Sequence, residues 1–124
     1  MSFSNASKEK PELIGKSFKA LVGETCKDMI GGGCMIYTYE RLTFHQDSVT
    51  ISYEVDAKCF PEEREKNYSN LHTYLSKNYN WSSKNDTIRI YGHSDFKELI
   101  IRDSLLFGFD KTQNRNLIFH EIRN

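Results

Sequence analysis

The chain lacks a charge excess, a long apolar run and a dense set of cysteines, and each absence removes a class of protein. Seventeen basic and seventeen acidic side chains cancel across 124 residues, so no global field draws the molecule to nucleic acid or anionic lipid. Small β-barrels that stack single-stranded bases set their aromatic residues in a basic groove. Here Lys and Arg are interspersed with acids, and nucleic acid is not expected as a partner. No segment approaches the roughly eighteen apolar residues of a membrane span, and residues 1–10, MSFSNASKEK, lack the apolar centre of a secretory leader. The expected product is soluble and cytoplasmic as the sequence is written, and exported if a leader has been removed from it. Three cysteines cannot all pair within one chain and are too few for a disulfide scaffold. Reduced thiols are therefore the default, with Cys26 and Cys34, on either side of a Gly-rich stretch, placed to bridge in an oxidising compartment.

Motifs of catalysis and metal binding are missing too. Cys26, Cys34 and Cys59 coexist with His45, His72, His93 and His120, but none stands in a recognised nucleophile context. Cys59 reads as a buried structural thiol, and His120 as an outward residue of the last strand. No cysteines or histidines have the close spacing of a zinc site, and His93-Ser94-Asp95, the one tight cluster of potential ligands, reads as a turn. Gly31-Gly32-Gly33 lacks the Lys and Ser or Thr that a phosphate-cradling loop places at the mouth of a helix. The whole stretch from Gly23 to Cys34 reads as a mobile connection, a candidate entrance flap. Glu62, Glu63 and Glu65 are explained as the solvated first turn of a helix. No catalytic residue, metal or cofactor is expected, and the protein is not expected to be an enzyme.

What is present is a strong period of two. Over 49–59, Val49, Ile51, Tyr53, Val55, Ala57 and Cys59 fall on one face, and Thr50, Ser52, Glu54, Asp56 and Lys58 on the other. Only an extended chain separates these sets, so the segment is a strand with one buried and one wetted face. Phe18, Ala20 and Val22 begin a first strand of the same kind. In 35–45 the apolar set changes face near Glu40-Arg41, which requires a bulge, a bend or two partly covered faces. Gln46-Asp47 then closes a hairpin. Pro61 followed by acidic residues, with Tyr68, Leu71, Tyr74 and Leu75 behind, predicts a helix over 61–76, although 72–75 also suits the start of a strand. Further strands follow around the turns Ser83–Asp86, Gly92–Asp95, Asp103-Ser104 and Lys111–Asn116. The fold class is mainly β: an antiparallel up-and-down barrel or strongly curved sheet of about eight strands with one helix. Residues 1–12 read as a flexible tail and 13–124 as a single domain long enough to bury about two-thirds of its unfolded surface.

Gly15-Lys16-Ser17-Phe18, Tyr79-Asn80-Trp81 followed by Asn85–Ile90, and the closing Leu117-Ile118-Phe119 resemble small bacterial lipocalin-like proteins. The Gly-x-Trp opening of that family has Ser17 at the Trp position, with Phe18 beside it. The resemblance implies a barrel whose interior accepts a small apolar molecule. Tyr37, Tyr39, Tyr53, Trp81, Phe107 and Phe109 are the candidate lining, with Ala20, Ala57 and Gly108 leaving room beside them. The alternative is a protein-interaction module, such as an immunity or inhibitor protein, acting through exposed aromatic and charged side chains. An inward surplus of aromatics favours the first and an outward surplus the second. The oligomeric state is not legible.

Overall fold

The computed structural model describes residues 11–71, 74–92, 97–110 and 114–122. Eight antiparallel strands follow one another around a closed barrel in sequence order. They are β1 (Ser17–Met29), β2 (Gly32–Phe44), β3 (Val49–Phe60), β4 (Tyr74–Lys84), β5 (Thr87–Tyr91), β6 (Lys97–Arg102), β7 (Leu105–Asp110) and β8 (Arg115–Glu121). A 3-10 turn at Pro11–Leu13 precedes β1. It buries Leu13 in the core, and the Gly15 N–H donates to the Phe44 carbonyl at 2.8 Å. The tail expected over 1–12 lies, for residues 1–10, outside the described residues.

The alternation over 49–59 has the faces expected of it: Val49, Ile51, Val55 and Ala57 are buried. Ser52 departs from the pattern. It stands on the outer face yet is buried, opposite Arg41 in the register, because a small side chain between long neighbours is roofed by them. In β2 no bulge accompanies the change of apolar face, since its register with β3 is unbroken from Gly33↔Phe60 to Phe44↔Val49. Instead Thr38 and the buried Glu40 take inner positions, and Tyr37 and Tyr39 are left half-buried on the outer wall. The bulge sits in β1, between Leu21 and Gly23.

The stretch 23–34 is not a mobile loop. It continues β1 to Met29, turns in two residues at Ile30-Gly31 and pairs Met29 with Gly32. Gly31 has φ +79°, and a Cβ on Gly32 would come within 1.8 Å of the Phe60 carbonyl oxygen. The glycines thus permit a tight turn and a close crossing rather than a hinge.

The helix expected over 61–76 is a shorter 3-10 segment, Glu62–Leu71, and β4 has begun by Tyr74. Few apolar residues occur in EEREKNYSNL, so little tertiary packing favours α geometry, and residues from Tyr74 onward are taken up as ladder partners of β3. The side chains of Tyr68, Leu71, Tyr74 and Leu75 lie outside the described residues. Glu65 is not merely solvated, because its carboxylate accepts the Cys59 N–H at 3.0 Å. Arg64 donates to the Ile30 carbonyl at 3.2 Å. The 3-10 segment is thereby tied to the end of β3 and to the β1–β2 turn.

Cys26 and Cys34 do not bridge. Beyond the bulge Cys26 stands on the outer wall opposite Met35, whereas Cys34 points inward opposite Cys59. Cys34 and Cys59, with Cα atoms 4.0 Å apart, form the disulfide, and Cys26 is free and exposed. Cys59 is therefore half of a bridge rather than a buried thiol.

Candidate functional site

The register divides the six candidate lining residues between the two faces of the wall. Trp81 and Tyr53 belong to the inner face and pack in or against the core. Tyr37, Tyr39, Phe107 and Phe109 do not: each alternates with inward neighbours such as Thr38, Leu106 and Gly108 and stands on the outer wall. The cause is the buried polar position in β2, and in β7 a strand whose two faces are both apolar. Phe-Gly-Phe has no alternation of polarity to assign a face, and the glycine is the inward residue.

Inside, the layers near the β2–β3 turn form a packed core. Phe44, Phe119, Leu42, Ile88, Ile90, Leu99, Leu106 and Val49 are fully buried. The rings of Phe18 and Phe44 meet edge to face at 5.9 Å, and those of Phe44 and Trp81 at 4.9 Å. The Trp81 Nε1–H donates to the His45 carbonyl at 2.9 Å, so the one polar atom of its 4% exposed ring is satisfied. Gly108 does not leave free space, because a Cβ there would lie 2.7 Å from Leu99 Cδ2. Ala20 and Ser83 are small inner residues within the packed part, and further along β1–β3 Gly23, Thr38 and Ala57 take inner positions.

Outside, a row of side chains crosses four strands in register: Thr87, Ile100, Phe107 and Ile118. Ile100 is 44% exposed, Ile118 42% and the adjacent Phe109 50%. Past Ile118 the row opens into a groove of about 510 Å³ along the seam of β8 and β1, with Leu21, Tyr39 and Ile122 as apolar lining and Lys19, Arg115, His120 and Glu121 as polar lining. Lys19 Nζ lies 4.6 Å from the centre of the Tyr39 ring, a favourable cation–π contact.

Among the described residues no three His, Cys, Asp or Glu side chains are disposed to hold a metal. His45 Nε2 shares a hydrogen bond with Thr50 Oγ1, which donates to Asn78. His120 is exposed on the outer wall as expected, while His72 and His93-Ser94-Asp95 lie outside the described residues. No described helix is long and apolar enough to cross a membrane. The eight-stranded antiparallel barrel is compatible with a calycin-like fold. No family model matches the chain, and neither curated proteins nor solved structures show significant similarity to it.

Proposed function

We propose that this is a non-catalytic binding protein that acts as a protein-interaction module through its outer wall. The observation that carries the reading is the row Ile100–Phe107–Ile118 with exposed Phe109 beside it, in a barrel whose inner aromatics pack on one another. Large apolar rings at the centre of a contact patch supply most of the affinity of typical interfaces. The Cys34–Cys59 bridge supports an exported setting, since such bonds persist in oxidising compartments. An immunity or inhibitor role is one instance of this class. The test is a photo-cross-linking amino acid placed at Phe109, with Lys84 as the exposed control position, in native extract. A discrete adduct from position 109 alone, lost with Phe107→Lys, supports the reading, and no adduct or equal labelling from both positions opposes it.

A second reading, a lipocalin-like carrier of a small apolar molecule, is favoured by one feature. The inner face beside the 3-10 segment carries Gly23, Thr38 and Ala57, and Tyr53 at its border is only partly buried.

A further inference from the structure

We propose that the groove between β1 and β8 is a strand-addition site for an extended acidic segment of a partner protein. This rests on the outer-wall reading and names the chemistry of the partner.

The barrel is closed at this seam by a short ladder only. Phe18 pairs with Glu121 and Lys19 with His120, and the Ile122 N–H donates to the Ser17 carbonyl at 2.8 Å. From Ala20 onward β1 has its register on the β2 side, and from Phe119 back to Arg115 β8 has its register on the β7 side. The ladder between them ends at Lys19 and His120, just before the β1 bulge between Leu21 and Gly23. Residues 115–118 border the groove, and this part of β8 lies beyond its ladder with β1, so a short stretch of edge faces the groove. An open edge is a template for another strand, with main-chain hydrogen bonds supplying affinity and alternate side chains specificity.

Charge selects the guest. Two cations, Lys19 and Arg115, and the imidazole of His120 line the groove with one acid, Glu121, whose carboxylate lies 3.9 Å from Lys16. Glu54, 3.8 Å from Lys19, is already held by Arg41 at 2.7 Å. Arg115 reaches across the seam to donate to the Val22 carbonyl at the bulge, and its buried Nε has no acceptor. Leu21, Tyr39 and Ile118 then flank the guest with apolar surface continuous with the outer row.

The probes are two capped, labelled octapeptides, one alternating glutamate with threonine and the other lysine with threonine. They are titrated by fluorescence anisotropy, with amide exchange followed by NMR. The glutamate peptide is expected to bind saturably, to slow exchange of amides within 115–119, and to bind at least about tenfold more tightly than the lysine peptide. Lys19→Glu with His120→Glu should invert that order. If this variant is poorly folded, Lys19→Gln with His120→Gln should abolish the preference instead. No saturable binding of the glutamate peptide, equal binding of both peptides, or protection away from β1 and β8 overturns the proposal. So does a sedimentation result in which the groove is filled by a second copy of the chain. A partner cross-linked at position 109 without peptide binding in the groove removes this inference alone, whereas loss of the cross-link removes the outer-wall reading itself.

Discussion

Gly108 reports most directly on how full the interior is. Its missing Cβ is matched by Leu99, itself fully buried, and by Phe119 at 3.7 Å. Gly108→Ala should force Leu99 from its position and destabilise the fold by about 1–3 kcal/mol, measured by urea denaturation. A neutral effect would mean that the layer contains unused space. Ile51→Asp places a carboxylate at a 2% exposed inner position and should cost at least about 3 kcal/mol. Lys58→Ser, on the exposed face of the same strand, should stay within about 0.5 kcal/mol. The inner assignment of Ile51 was legible because apolar and polar residues alternate without exception around it. The burial of Ser52 was not, because it depends on which long side chains flank it across the sheet, and the linear pattern carries no cross-strand neighbours.

The β1–β2 hairpin is where the sequence was hardest to interpret. Short turns such as Asn85-Asp86 and Asp103-Ser104 announce themselves, since their residues tolerate the positive φ found at Asn85, Asp103 and Ser104. The second half of β1, GETCKDM, carries no alternation because this part of the strand lies beyond its ladder with β8 and has little core to face. Polar residues and glycines there look like a loop. The disulfide was missed for the same reason: only the register brings Cys34 opposite Cys59 and turns Cys26 to the other face. Alkylation of the denatured, unreduced protein followed by mass spectrometry should find one modified cysteine, Cys26, and three after reduction. Cys59→Ala should lower stability by about 2–4 kcal/mol, and Cys26→Ser should leave it unchanged. Gly32→Ala should be more damaging than Gly31→Ala, because the added methyl at position 32 meets backbone while position 31 is open. Equal melting temperatures for the two variants would contradict this close crossing.

The number of strands, their antiparallel order and the hairpin at Gln46-Asp47 all followed from periodicity and turn chemistry. The division of aromatics between the two faces of the wall did not. It hinges on Glu40 and Thr38 being inward in β2 and on Gly108 being inward in β7, choices that single strands leave open when both faces carry apolar residues. Four of the six candidate rings therefore stand on the outer wall, which is the ground of the proposed outer-wall reading. The seam of β1 and β8, defined by a bulge and a short ladder, has no signature in the linear sequence at all. The most direct measurement is titration of the purified protein with a panel of small apolar molecules, following Trp81 fluorescence and melting temperature together. Trp81 packs against Phe44 and is held by His45, so the expected result is an unchanged spectrum and an unchanged melting temperature. A saturable spectral change accompanied by a rise in melting temperature, as binding to the native state alone requires, would place the ligand inside the barrel and contradict the outer-wall reading.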